Sequence, residues 1–255
     1  NFGPKGFRRL LQDGAVFTGR YEQQNTYTGP GHATLASGSW AYVNGIAQNR
    51  FYNYGSKRGE SMLFDADAKL LSGETGPDDE TSPKNFFGST LGDEMRLQNP
   101  RAKAIGVALK DRGAILLGGR TGVAYFQSEA TGEMTTSTYY LSAVPAWVSA
   151  FNAEKRADKA FGKTWDRLYA VDKYQAIDDK KWESEGKGLG RTFPHVIDGK
   201  LKAPGPDYYT MFQHTPFGLE LGFDFAKAAL EGEALGKRGV TDFLGVSITP
   251  TDLVG

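Results

Sequence analysis

An unbroken apolar run, Ala104-Ile105-Gly106-Val107-Ala108-Leu109, constrains the fold of this chain more than any other feature. A strand with one face in water alternates apolar and polar residues, so a continuous run indicates a strand buried on both faces. Such strands belong to parallel sheets covered by helices. A helix pattern over about residues 89–99 precedes the run, with a Thr90–Asp93 capping box and a stop at Pro100. We therefore predict an α/β fold with a mostly parallel sheet.

Other patterns extend this prediction along the chain. We expect a short opening helix that ends at Gly14, a strand over residues 15–21, and a last strand over residues 243–248. Before the last strand, an amphipathic helix is predicted with one apolar face formed by Phe223, Ala226, Leu230 and Ala234. Residues 121–216 mix aromatic, glycine and charged residues without long apolar runs. We interpret them as a cap inserted into a catalytic core formed by residues 1–120 and 217–255.

The composition excludes several classes of partner. The chain has 30 basic and 30 acidic residues, so no overall field attracts nucleic acid or an anionic membrane. No apolar run approaches the roughly 18 residues that span a bilayer. Cysteine is absent, which excludes disulfides, thiolate metal sites and a cysteine nucleophile. Any recognition of an anion must therefore be local.

Three polar features follow predicted strands or begin a predicted helix, where ligands bind in open α/β sheets. Thr28 precedes Pro30, a residue suited to a first helical turn, so Thr28 is either a helix cap or a nucleophile that needs a base or metal for activation. Lys110 and Arg112 are predicted on one side of an extended segment, as a solvated charge pair or as a grip for a phosphoryl dianion. Asp252 follows the last strand, where turn residues are common.

Other candidate features are weaker. His32, His195 and His214 have no metal-ligand spacing, and the position of His32 after a glycine-rich turn favours a structural role. The run Asp78-Asp79-Glu80 is typical of a solvated loop, with calcium binding as the alternative. Gly118-Gly119 does not fit any nucleotide-binding loop pattern.

Taken together, several strings of sequence that contain these residues resemble those of a known protein family. The strings at residues 26–33, 45–52 and 109–116 occur in order, and those at 215–218, 225–229 and 247–255 continue the match. They resemble the alkaline phosphatase superfamily, within the type I phosphodiesterase/nucleotide pyrophosphatase group. The closest likeness is to the bacterial phosphate-irrepressible and PhoK-type alkaline phosphatases. It is weakest over about residues 125–215.

The resemblance implies a role for each motif residue. Thr28 matches the nucleophile that becomes a phosphothreonine and ligates one zinc ion. Asn49 matches a donor to a phosphoryl oxygen, and Lys110 and Arg112 match the pair that marks monoesterases in this group. Asp252 matches a carboxylate ligand of the second zinc. The other expected zinc ligands are missing from the chain, so we expect it to be an N-terminal portion of the catalytic domain.

The resemblance thus implies a zinc-dependent phosphomonoesterase with two Zn²⁺ ions, weaker diesterase activity and small-molecule phosphate monoesters as substrates. It also implies a periplasmic or secreted location and leaves room for a structural Ca²⁺; we expect a monomer without nucleic-acid or membrane partners. Two alternatives stay open. The first is a nucleotide pyrophosphatase or phosphodiesterase of the same group, and the second is a non-catalytic relative that binds phosphorylated ligands.

Overall fold

The computed structural model describes residues 4–71 and 79–249. The helices are α1 Phe7–Asp13, α2 Thr28–Ser37, α3 Ala41–Asn44, α4 Leu91–Gln98, α5 Asp111–Gly118, α6 Ala146–Ala153, α7 Pro206–Phe212 and α8 Pro216–Gly232. The strands are β1 Arg50–Asn53, β2 Arg58–Ser61, β3 Ala104–Val107, β4 Val123–Gln127, β5 Met134–Thr135, β6 Thr164–Trp165, β7 His195–Val196 and β8 Phe243–Val246. Short 3-10 helices cover Asp158–Ala160, Val171–Lys173 and Gly186–Gly188.

A four-stranded sheet in the order β5-β4-β3-β8 organises the fold. The central strand β3 pairs in parallel with β4 and with β8, while β5 adds an antiparallel edge. All four residues of β3 are buried, as the apolar run requires. The prediction of an α/β fold with a mostly parallel sheet is therefore confirmed.

The two faces of the sheet pack into separate hydrophobic clusters because side chains alternate along a strand. One cluster joins Ile105, Val107 and Tyr125 to residues of α6, α7 and α8. The other joins Ala124 and Phe126 to residues of α2 and α5. Both faces are thus covered by helices, which explains why β3 lacks polar residues.

Gly106 allows α5 to lie very close to β3. A Cβ atom at this position would lie 2.1 Å from the carbonyl oxygen of Ala114 and 2.6 Å from the amide nitrogen of Gly118. Only glycine permits that approach of strand and helix. The short separation holds α5, whose N-cap is Lys110, directly against β3.

The N-terminus of α4 confirms the predicted capping box. The Thr90 hydroxyl accepts from the Asp93 amide at 3.1 Å, and the Asp93 carboxylate accepts from the Thr90 amide at 2.9 Å. Asp93 also accepts hydrogen bonds from the backbone amides of Arg120 and Thr121. The cap therefore fastens α4 to the turn between α5 and β4.

Two predicted elements differ in the structure. Residues 15–21 lie outside any strand; they find no pairing partner in the described residues, and Phe17 is 86% exposed. In α8 the buried residues are Gly218, Leu221, Phe225, Ala226 and Ala229. Phe223 and Leu230 are exposed, because the sheet contacts the helix along a neighbouring stripe that contains Phe225.

The predicted cap contains part of the sheet. β4 lies within residues 121–216, yet it pairs with β3 over Ile105↔Val123 to Val107↔Tyr125. The rest of this range forms short elements, including the β6–β7 pair. Several of its buried residues, such as Ile197 and Tyr208, share one hydrophobic cluster with the sheet. The division into core and cap stays a prediction.

Within the described ranges, no helix has the length and apolar character to cross a membrane.

Candidate functional site

The first turn of α2 presents Thr28 at the first helical position. Tyr27 is the N-cap residue, and Thr28 is half-buried. The amide of Gly29 donates a hydrogen bond of 2.7 Å to Asn49 Oδ1. This bond places Asn49 beside Thr28, although the two residues are 21 positions apart in the sequence.

The hydrogen bond to Gly29 also orients the Asn49 carboxamide. A backbone amide is a donor only, so it selects the oxygen of Asn49 and leaves the Nδ2 group as a donor. The segment before Asn49 is held in turn by Asn25, whose Nδ2 donates to the Ala47 carbonyl at 2.8 Å. The helix start and the segment leading into β1 thus support each other.

Lys110 and Arg112 follow β3, as predicted, but not on an extended segment. Lys110 has extended backbone angles and is the N-cap of α5, while Arg112 already lies in that helix. Arg112 Nη1 lies 3.5 Å from Asp111 Oδ1, and its buried Nε has no hydrogen-bond partner within the described residues.

A cavity of about 350 Å³ brings three of the predicted residues together. Asn49, Lys110 and Arg112 all line it, with Leu70, Leu109 and Phe126 contributing apolar surface. Thr28 is adjacent to this group through the Gly29–Asn49 hydrogen bond. Asp252 lies outside the described residues. The cavity therefore combines three basic side chains, those of Arg50, Lys110 and Arg112, with an amide donor next to a helix start.

Among the other cavity residues, Gln127 and Glu129 were missed by the sequence analysis, whereas Asp111 lies between the predicted residues Lys110 and Arg112. Gln127 ends β4, Glu129 follows it at the exposed rim, and Asp111 begins α5. Partial withdrawal of the Glu129 carboxyl from water raises its pKa, and repulsion by the Asp111 carboxylate adds to this. The positions of Gln127 and Glu129 could have identified them as site residues, because both lie at the carboxyl end of a strand beside β3.

The histidines have structural surroundings. His32 Nδ1 lies 2.8 Å from the carbonyl oxygen of Thr28, and its Nε2 lies 2.8 Å from Ser247 Oγ, so it links α2 to the segment after β8. His195 is buried against Trp165 and Phe193. Among the described residues, no group of three or more His, Cys, Asp or Glu side chains could hold a metal ion. Of the calcium candidate run, Asp78 lies outside the described residues.

A second cavity, of about 360 Å³, contains none of the predicted site residues. Its two basic side chains are already paired with acids. Arg156 contacts Asp224 at 2.6 Å, and Lys155 lies 4.0 Å from Asp158. The cavity at the end of β3 contains the predicted residues Asn49, Lys110 and Arg112 and is therefore the better candidate for binding an anion.

The fold and this cavity define a protein of the alkaline phosphatase superfamily. A sequence profile of the type I phosphodiesterase / nucleotide pyrophosphatase family matches residues 4–252, and the chain belongs to this family. It is 38% identical over 268 residues to a protein named calcium-transporting ATPase from Myroides odoratus, and 36% identical over 260 residues to the alkaline phosphatase PhoV from Synechococcus elongatus. It is 32% identical over 266 residues to the alkaline phosphatase PafA from Elizabethkingia meningoseptica. These matches cover 100% of the chain and 46–47% of each relative.

The solved structures agree with the sequence relatives. The crystal structure of wild-type PafA superposes with a TM-score of 0.86 at 31% identity, covering 99% of this chain and 49% of that one. A PafA mutant with a threonine, an asparagine, a lysine and an arginine substituted superposes with a TM-score of 0.85. The chain thus spans about half the length of the relatives that it matches.

Proposed function

We propose that the full-length protein is a zinc-dependent alkaline phosphatase that hydrolyses phosphate monoesters through a phosphothreonine at Thr28. One observation carries this proposal. Asn49, Lys110 and Arg112 come from separate parts of the chain yet line one cavity, and a hydrogen bond joins Asn49 to the residue after Thr28. The periplasmic or secreted location implied by the family resemblance belongs to the same proposal.

The PafA mutant supports the choice of residues. Its substituted residues are of the same four types, in the same order along the chain. Its threonine and asparagine are 21 positions apart and its lysine and arginine two, the same separations as between Thr28 and Asn49 and between Lys110 and Arg112. Several relatives are named alkaline phosphatases.

The residues of this chain suit an in-line displacement at phosphorus. Thr28 Oγ1 forms a bond to phosphorus while the bond to the leaving-group oxygen breaks, which transfers the phosphoryl group to Thr28. Water then attacks the phosphothreonine and releases inorganic phosphate and the free threonine. The N-terminal amides of α2 favour negative charge at this position.

Holding the phosphoryl group is the main contribution of the other three residues. The three free oxygens of a monoester remain charged during transfer, so positioned cations and donors lower the barrier. Lys110 contributes a compact charge, and Arg112 contributes a planar guanidinium with several donors. Asn49 adds the Nδ2 donor that its bond to Gly29 leaves available.

Zinc fits this site only in part within the described residues. Thr28 offers an oxygen, but the carboxylate and histidine ligands of a complete site are not among them. Bound zinc would supply the Lewis acid that makes a threonine hydroxyl nucleophilic at moderate pH. Asp252 stays the proposed ligand of the second ion.

Lys110 and Arg112 in one cavity favour monoesters over diesters. A diester carries one negative charge fewer and replaces a free oxygen by a bulky group, so one cation loses its target. The phosphodiesterase alternative retains some support because the family itself includes phosphodiesterases and nucleotide pyrophosphatases.

The proposal is tested with the full-length, zinc-loaded protein. Thr28→Ala should abolish turnover of an aryl phosphate, while zinc content and the unfolding temperature are measured beside it. Thr34→Ala is the matched control, because Thr34 lies in the same helix but does not line the cavity. Its hydroxyl donates instead to Gln23 Oε1 at 2.7 Å. Wild-type rates that are equal for an aryl monoester and the matching diester would contradict the monoesterase assignment.

A further inference from the structure

His32 joins the first turn of α2 to the segment that follows β8. Its Nδ1 lies 2.8 Å from the carbonyl oxygen of Thr28, and its Nε2 lies 2.8 Å from Ser247 Oγ. A carbonyl oxygen accepts only, so this bond assigns the ring proton to Nδ1. In the neutral ring Nε2 is then an acceptor, and the Ser247 hydroxyl donates to it. The imidazole is therefore held at both of its nitrogens.

Ser247 is constrained in turn by the sheet and by α5. Its amide donates to the carbonyl of Val107, the last residue of β3, at 2.9 Å. It also lies against α5, because a Cβ atom at Gly113 would come within 3.1 Å of Ser247 Oγ and 3.2 Å of its Cβ. Even the methyl group of an alanine at position 113 would press on this serine. Ser247 is thus a well-defined partner for His32.

These contacts connect the two parts of the proposed site. Thr28 is the proposed nucleophile on α2, and Lys110 and Arg112 lie at the start of α5. One hydrophobic cluster contains residues of both helices. Apolar packing is non-directional, whereas a hydrogen bond depends steeply on its distance and angle. The path from Thr28 through His32 and Ser247 therefore supplies a directional constraint between the nucleophile and α5.

We propose that His32 and Ser247 are positioning residues for the nucleophile Thr28. Their hydrogen bond holds Thr28 in line for attack on a phosphoryl group that the start of α5 binds. The inference rests on the proposed phosphatase function and deepens it. Transfer requires the attacking oxygen to lie about 3–3.5 Å from phosphorus, and a misplacement of about 1 Å costs about 10²-fold in rate. Loss of the bond should therefore slow phosphorylation of Thr28 without weakening the grip on phosphate.

The test is a double-mutant cycle in the full-length, zinc-loaded enzyme. His32→Asn places a donor near the position of Nδ1 but does not reach Ser247, and Ser247→Ala removes the hydroxyl. Rapid acid quenching measures the rate at which an aryl phosphate phosphorylates Thr28, expressed per zinc-loaded molecule. Each variant should be about tenfold slower, the upper end of the usual range for one hydrogen bond. The double variant should also be about tenfold slower rather than about a hundredfold, because both changes break the same bond.

The inhibition constant for inorganic phosphate separates positioning from general damage to the site. It should match the wild type in both variants, because Asn49, Lys110 and Arg112 are untouched. A purely structural role would instead lower the unfolding temperature and leave the rate per folded molecule unchanged. Ser37→Ala is the matched control, since Ser37 lies in α2 and its hydroxyl donates to the Ala33 carbonyl at 2.6 Å. It should leave both the rate and the inhibition constant as in the wild type.

The outcomes distinguish the two proposals. A wild-type rate in Ser247→Ala, the milder substitution, overturns the positioning role even if His32→Asn does not fold. Rates that fall multiplicatively in the cycle overturn it as well, as does a phosphate inhibition constant that rises by the same factor as the rate falls. A folded, zinc-loaded wild type in which Thr28 is never phosphorylated refutes the phosphatase function and this inference with it.

Discussion

Substitutions of Asn49 can distinguish its structural role in this site from its proposed role in binding the phosphoryl group. Its Oδ1 holds the Gly29 amide at 2.7 Å, and its Nδ2 is the proposed donor to the phosphoryl group. Asn49→Asp keeps an oxygen for Gly29 but replaces the donor by an acceptor. Asn49→Ala removes both. The two variants therefore test different halves of one side chain.

The magnitudes follow from these contacts. Loss of one positioned donor to a developing anion typically costs about 10²–10³ in kcat. Loss of the Gly29 bond adds about 0.5–1.5 kcal/mol in Asn49→Ala. In Asn49→Asp, a negative charge about 4 Å from a phosphoryl charge adds roughly 4 kcal/mol per charge pair at an effective dielectric constant near 20. We therefore expect the aspartate variant to be the slower enzyme, although it preserves more of the structure.

The assay is kcat/KM for an aryl phosphate with full-length enzyme, together with the inhibition constant for inorganic phosphate. Zinc content and the unfolding temperature show whether the site has formed. An aspartate variant that is as active as wild type, or more active than the alanine variant, would refute the assignment of Asn49 as a donor. Gln48→Ala, which changes the neighbouring side chain, should leave both constants unaltered.

Further variants test the remaining contacts. Lys110→Ala and Arg112→Ala should each lower kcat/KM for a monoester by about 10–100-fold and for a diester by less, and equal losses would contradict their role in monoester selection. Asp93→Asn should lower the free energy of unfolding by about 3 kcal/mol in chemical denaturation. Burial opposes ionisation of Asp93, but hydrogen bonds from surrounding amides and hydroxyls outweigh it and lower its pKa, so this stabilisation is present above about pH 4 and disappears as the pH falls further. Gly106→Ala should destabilise the protein by about 3 kcal/mol or more, because its Cβ would lie 2.1 Å from the Ala114 oxygen; an unchanged unfolding temperature would contradict the close packing.

Local signals in the sequence predicted the parts of the fold that depend on local chemistry. The apolar run became β3 because both faces of the strand are covered, and the Thr90–Asp93 pair caps α4 because the two groups lie in one turn. The helix start at Thr28 likewise followed from Pro30.

Features that depend on distant partners could not be predicted in this way. Phe223 and Phe225 are equally apolar, and only the position of the sheet decides which is buried. Residues 15–21 have strand-like composition but no partner among the described residues. Gln127 was missed because β4 was assigned to the cap, which removed its carboxyl end from the list of strand ends near Lys110.

Detection of a phosphoryl group on Thr28 tests the central claim most directly. The full-length, zinc-loaded enzyme is mixed with excess aryl phosphate, quenched in acid during turnover and analysed by peptide mass spectrometry. The account predicts that the peptide containing Thr28 gains the mass of one phosphoryl group, and that Thr28→Ala shows no such adduct. A phosphoryl group on another residue, or full turnover by the alanine variant, would contradict it.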